Sequence, residues 1–388
     1  MNSRERILAI LNRKPVDRIP VDLWYTPQVG QMLQEHFGSS DDLDLYKAVG
    51  LDKIVWVFMD YKSESGQTEG AQAGAGAQGT RTMWGVPLKT VQAGRECYHE
   101  FVEPPMASYD SPSEVDRYPF WPDPDRFDYD GAAAGAERAS RDFAVIGPWV
   151  SLFEIYCQLR GLEQSMMDIA LNPALVEAIL DRIEDVQTKM MHRFLDRARR
   201  HLDMVFISDD VAGQNGLLFS PLLWRQHLMP RLIRWCDLIH SYGLKVFYHT
   251  DGAAEPLIES LIDCGIDVLN PIQHTCHGME PAGLKRKYGD RVIFHGGVDN
   301  QNVLPFGSTD DVRREVRLLL NTLGSDDRGY ICSSCHNVQA NTPLQNILAM
   351  VEAVNIYGKT TRFTVGELPT KRRIDRETSS RESAEDES

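Results

Sequence analysis

Apolar and polar residues alternate in blocks along most of this chain. Short runs rich in β-branched and aromatic residues recur, with stretches of helical spacing between them. Eight such runs read as strands: Ile19–Trp24, Lys53–Met59, Ala144–Gly147, Asp203–Ser208, Leu244–His249, Asp267–Asn270, Val292–His295 and Gly329–Ser333. The helical stretches carry start signals. Asn2 and Glu5 form a capping box ahead of Ile7, Leu8, Ile10 and Leu11. Asn172-Pro173, Ser220-Pro221 and Thr342-Pro343 each set a capping residue before a proline at the first helical position. Ser308 to Asp311 opens another helix, and Gly324 and Gly358 can close the helices before them. Strand alternating with helix predicts parallel pairing. Eight units predict an α/β fold in the form of a distorted (β/α)8 TIM barrel.

The second unit is interrupted. Residues 66–79 are a Gly/Ala/Gln stretch, strand-like pieces follow around residues 82–88 and 96–102, and residues 119–130 are rich in Pro and Asp. This predicts a β-hairpin insertion near the C-terminal mouth of the barrel, a lid spanning residues 62–130. Residues 1–366 then form one barrel domain. Residues 367–388 are charged, Ser-rich and almost free of apolar side chains, which predicts a disordered tail.

Composition narrows the function classes. The 388 residues carry a net charge of -15, which argues against binding nucleic acid or an anionic membrane surface. No apolar run approaches the roughly 18 residues of a membrane span, and residues 1–6 have no apolar signal region. The seven cysteines are odd in number and irregular in spacing, so reduced thiols in a cytoplasmic protein are expected.

Nearly every predicted strand end carries a polar or ionisable group, as the catalytic face of a barrel does. His249 with Asp251 is either a pair of metal ligands or an acid/base pair; the ordinary alternative is a buried histidine and a helix cap. Cys335 is a candidate thiolate ligand, and His336 competes for that role because consecutive residues point in opposite directions. Asp209 and Asp210 are adjacent, so one is expected at the mouth and the other in the following turn. His295 and Asp299 flank two glycines that allow close approach of a ligand. Trp24, Tyr25, Trp56, Trp84 and Trp149 are candidates for an aromatic wall, while Asn270 and Gln273 complete the substrate-binding candidates.

In their order along the chain these residues resemble the uroporphyrinogen decarboxylase superfamily. The resemblance runs from Met1 to about Lys359. Its most specific parts are Asp209-Asp210, Ser220-Pro221, Gly243 to Val246, His249 to Gly252, Leu269-Asn270-Pro271, Gly296 to Asp299 and Cys335 to Asn346. It implies a distorted (β/α)8 barrel with its site at the C-terminal ends of the strands. One branch of the superfamily decarboxylates uroporphyrinogen without a cofactor, gripping the substrate carboxylates with an Arg-Gln-Ala-Gly-Arg stretch after the first strand. Here that stretch reads Leu23 to Val29 and has no arginine, which argues against an octa-anionic substrate.

The other branch transfers methyl groups to or from a corrinoid on a separate protein, using zinc held by His-x-Cys and a later Cys. The resemblance places His249 at the His, Asp251 at the first Cys, and Cys335 or His336 near the second. An oxygen ligand at Asp251 would leave zinc more Lewis acidic and better suited to a methyl ether. The resemblance therefore implies a corrinoid-dependent methyltransferase, with zinc, a corrinoid protein as partner, and a small methylated substrate such as a methoxylated aromatic. Its catalytic residues would be Asp209, Asp210, His249 and Asp251. A metal-free decarboxylase or lyase of a small acid is the first alternative, and a non-catalytic tetrapyrrole- or corrinoid-binding protein the second.

Overall fold

The computed structural model describes residues 1–62, 68–69, 81–93 and 96–359. Seven parallel strands form one curled sheet: β1 (Ile54–Trp56), β2 (Ala144–Val150), β3 (Met204–Ser208), β4 (Lys245–His249), β5 (Val268–Asn270), β6 (Ile293–Val298) and β7 (Tyr330–Ser334). Spatial order follows chain order from β1 to β7. Helices connect successive strands from β2 onward, as right-handed parallel crossovers require. The strands are buried almost end to end, consistent with a sheet covered on both faces.

The eighth position is filled differently from the sequence expectation. Residues 19–24 form no regular strand; they make isolated bridges, Val21 with Cys332 and Tyr25 with Val338. On one side the Asp22 amide donates to the Cys332 carbonyl at 2.9 Å. On the other side the Asp52 amide donates to the Val21 carbonyl at 2.7 Å. The segment thus lies between β7 and β1 and closes the barrel. Pro20 has no N–H to give, so the ladder there stays intermittent.

A buried ion cluster fastens this seam. Asp52 accepts from Arg6 Nη1 and Arg18 Nη1, each at 2.5 Å, and from the Val21 amide at 3.0 Å. Asp52 has no solvent exposure. Arg6 lies on the helix Ser3–Leu11, whose Asn2/Glu5 capping box forms as expected. One carboxylate therefore ties the first helix to the closing segment.

Other boundaries shift modestly. Strand β2 runs on to Val150 past Pro148, and its register against β3 slips between Ile146 and Trp149, where the proline lacks a donor. The helix after Thr342 starts at Leu344, with Pro343 at its cap rather than inside it. An antiparallel hairpin, Leu88–Ala93 with Glu96–Phe101, lies in the insertion between β1 and β2. The glycine-rich stretch falls mostly, and the tail 367–388 wholly, outside the described residues. No helix among the described residues is long and apolar enough to cross a membrane.

Substituting Asp52→Ala would take from Arg18 its carboxylate partner and from buried Arg6 one of two, Asp17 remaining, and would leave the Val21 amide without its acceptor. The expected loss is about 3–5 kcal/mol of unfolding free energy, read by urea denaturation.

Candidate functional site

A cavity of about 600 Å³ opens at the C-terminal ends of the strands. The ends of β3 and β4 supply its polar edge. Ser208 and His249 are register partners, and Asp210 follows in the next turn. All five residues of the expected aromatic wall line the cavity: Trp24, Tyr25, Trp56, Trp84 and Trp149. From the insertion come Thr82, Trp84 and Phe101. Trp24 forms much of the floor, lying nearly parallel to the His249 ring with centroids 5.8 Å apart.

His249, Asp251 and His336 converge at one side of the cavity, and their ligand atoms all lie within 4.8 Å of one another. Each reaches that place for a local reason. His249 ends β4 and is held through Nδ1 by Asn270 Oδ1 at 2.5 Å. Asp251 lies in a turn whose amides are all engaged. The Thr250 amide donates to the Asn270 carbonyl, the Asp251 amide to Asp210 Oδ1 and the Gly252 amide to Gln273 Oε1. Gly252 has φ +88°, and a Cβ there would lie 2.6 Å from the Gly213 carbonyl oxygen, so this tight turn requires glycine. His336 follows β7 and faces the cavity, with its ring centroid 5.6 Å from that of His249.

Cys335 points the other way. Its thiol donates to the Ile272 carbonyl at 3.4 Å, and burial pushes its pKa well up, which disfavours the thiolate. Between the two sequence candidates for the later ligand, the geometry brings His336 to the cluster and leaves Cys335 out of it.

The electrostatics suit a cation. Burial works against charge on His249, but Asp251 and Asp210 more than offset it and raise its pKa above the usual value. Burial and the His249 charge lower the pKa of His336. Two imidazoles and a carboxylate within reach of one point form a donor set for a divalent transition metal, with zinc the ordinary occupant.

The other candidates are distributed on both sides of the cavity wall. Asp210 lines it, 3.8 Å from His249 Nε2. Asp209 does not: Oδ1 accepts from Ser151 Oγ and from the amides of Leu152, Phe153 and Glu154, capping the helix Phe153–Arg160. Burial raises the Asp209 pKa to about 7 while these donors pull it down. Asn270 and His295 are wholly buried behind His249. Asp299 holds its own turn, accepting from the amides of Gln301 and Asn302. Gln273 supports Gly252, and among the described residues it lines a small separate crevice with Asp299 and Cys335.

Three residues absent from the sequence reading belong to this region. Glu154 lines the cavity and accepts from Ser208 Oγ at 3.1 Å. Burial, with Asp210 and Asp209 nearby, raises its pKa to about 7. Asp22 and Lys53 form a buried pair 3.0 Å apart, with Lys53 at the cavity lining and Asp22 accepting from Trp24 Nε1. Asp22 and Lys53 had a signal, as charges set in apolar runs, whereas the closeness of Glu154 to a strand end shows only once the strand is seen to run on to Val150.

Comparison with known proteins agrees with this architecture. The family model for uroporphyrinogen decarboxylase (URO-D) matches residues 98–357. A methylcobamide:CoM methyltransferase, MtaA, of Methanosarcina barkeri is 28% identical over 155 residues, which are 40% of this chain and 42% of that protein. A uroporphyrinogen decarboxylase of Methylibium petroleiphilum is 30% identical over 111 residues, 28% of either chain. The chain therefore spans less than half the length of these curated relatives. A solved methyltransferase structure from Methanosarcina mazei superposes with a TM-score of 0.62 at 19% identity, covering 92% of this chain and 99% of that one, and shows the shared fold. By the extent of that family match, reaching from the hairpin through the last helix, the chain belongs to the uroporphyrinogen decarboxylase family.

Proposed function

We propose that this protein moves a methyl group between a small methylated aromatic, such as an aryl methyl ether, and a corrinoid carried on a partner protein. His249, Asp251 and His336 would hold zinc for that reaction. The observation that carries the reading is the convergence of those three side chains at the edge of an aromatic cavity. The partial similarity to a methylcobamide methyltransferase supports the same branch of the family.

The cavity's charges support it further. Among the described residues no arginine lines the cavity, and its lysine, Lys53, is already bound to Asp22 and to the Leu23 carbonyl. Glu154 and Asp210 add carboxyl groups to the lining. Such a lining disfavours a polycarboxylate, whose recognition calls for arginine forks. The rings of Trp24, Trp56, Trp149 and Phe206 suit a flat apolar substrate. Thr26 Oγ1 and Trp84 Nε1 are buried without a hydrogen-bond partner among the described residues, and both belong to residues that line the cavity.

Zinc bound there would act as a Lewis acid on the substrate heteroatom. The protein's own groups do the rest. Asp210 fixes the Asp251 turn through the Asp251 amide. Glu154, with a pKa raised to about 7, is poised to give or take a proton at the cavity wall.

The direct test mixes zinc-loaded protein with free cob(I)alamin and a panel of methoxylated aromatics, anaerobically, and follows methylcobalamin by its absorbance. Wild type should form it with at least one donor, and His336→Ala should be slower by roughly 100-fold or more. If no donor yields methylcobalamin while a small carboxylic acid releases carbon dioxide, the proposal is wrong. Zinc uptake should also depend on pH with a defined sign. The raised His249 pKa makes protons compete from above the usual 6.5. Apparent zinc affinity, measured with a competing chelator, should therefore fall as pH falls through that pKa, by up to about tenfold per unit.

A further inference from the structure

A chain of buried side chains runs from His249 away from the cavity. His249 Nδ1 lies 2.5 Å from Asn270 Oδ1, and Asn270 Nδ2 lies 2.7 Å from His295 Nδ1. His295 Nε2 lies 3.1 Å from Asp22 Oδ2, and Lys53 Nζ donates to Asp22 Oδ1 at 3.0 Å. Asn270, His295 and Asp22 have no solvent exposure, while His249 and Lys53 retain 4% and 5%. The chain links β4, β5 and β6 to the closing segment and to the residue preceding β1.

Its donors and acceptors fit together in one sense. Asp22 is surrounded by donors: the Leu23 amide, the Ile54 amide, Trp24 Nε1 and Lys53 Nζ, besides His295. It is therefore the accepting carboxylate, and His295 Nε2 carries the proton that faces it. Lys53 already balances the Asp22 charge, so a second buried cation on His295 would be uncompensated. A neutral His295 presents a lone pair at Nδ1. Asn270 must then turn its NH2 to His295 and its carbonyl to His249. That carbonyl only accepts, so His249 Nδ1 carries a proton and the Nε2 lone pair is left for the cavity. Rotating the Asn270 amide by 180° would set its carbonyl against the His295 Nδ1 lone pair, acceptor to acceptor, unless His295 instead turned a lone pair toward the Asp22 carboxylate.

We infer that Asp22, anchored by Lys53, sets the tautomer of His249 through His295 and Asn270, and thereby aims the Nε2 lone pair at the metal side of the cavity. Asp22, His295 and Asn270 are positioning residues. Their purpose rests on the reading of His249 as a metal ligand; the tautomer itself does not.

Two measurements test this. The first is nitrogen NMR of metal-free, full-length protein labelled in its histidine rings, with His249→Gln and His295→Gln to identify the two signals. The proton should sit on Nδ1 of His249 and on Nε2 of His295. In Asp22→Asn the His249 signal should shift toward a mixture of tautomers. At a pH well above the raised His249 pKa, where the ring is neutral, a proton on Nε2 of His249 in the wild type overturns the inference. The second is zinc affinity in variants whose fold is checked by circular dichroism. His295→Leu, Asn270→Leu and Asp22→Asn should each weaken zinc by about 10–100-fold. Asn270→Asp, which still accepts from His249, should stay within about threefold of wild type. Folded His295→Leu and Asp22→Asn with unchanged affinity would reduce the chain to core packing and overturn its positioning role. If wild type takes up no zinc, the functional reading fails, and the NMR result still decides the tautomer.

Discussion

The structure turns on one buried carboxylate. Asp22 lies in the segment that closes the barrel between its last and first strands, with its amide bonded to Cys332. Its side chain gathers the Lys53 ammonium, the Trp24 indole, the His295 ring and two backbone amides. An ionised carboxylate without solvent is tolerable only because every lone-pair direction meets a donor and one donor is charged. The same group fixes three things. It holds the seam, it sets Trp24 as the floor of the cavity, and it begins the hydrogen-bonded chain that ends at His249. Fold closure and site geometry are thus parts of one constraint.

The polar strand ends divide by what they serve. His249, Asp251, His336, Asp210 and Glu154 present chemistry to the cavity or its edge. Asp209, Asp299 and Gln273 spend their oxygens on a helix terminus and on turns. The same division decides which side chains form the candidate metal cluster. Both residues lie in the bend that follows β7, and there His336 faces the mouth while Cys335 turns inward to the Ile272 carbonyl. A nitrogen, oxygen, nitrogen donor set is harder than one containing thiolates, which favours polarisation of an oxygen-bearing substrate.

Much of this was legible in the sequence. Seven of the eight strand runs form the sheet, because alternating blocks of β-branched residues and helix caps are local signals. The closing segment read as a strand because its side chains are buried like one, whereas its intermittent bridges depend on Pro20 and on partners hundreds of residues away. His249, Asp251 and His336 were visible as ionisable residues at strand ends. Which of Cys335 and His336 faces the cavity was not, since that depends on how the chain leaves β7. Asp209 and Asp210 showed the same ambiguity, resolved only by the helix terminus that Asp209 caps. The link between Asp22 and His249 joins residues over two hundred positions apart, and no local pattern carries such a pairing.

The central claim is that His249, Asp251 and His336 form a metal centre beside an aromatic cavity. Diffraction from crystals of zinc-loaded protein, recorded on both sides of the zinc absorption edge, tests it most directly. The account predicts one strong anomalous peak bonded to those three side chains, with the Cys335 sulfur turned away. No peak at that position, or a peak on Cys335 instead, would contradict it.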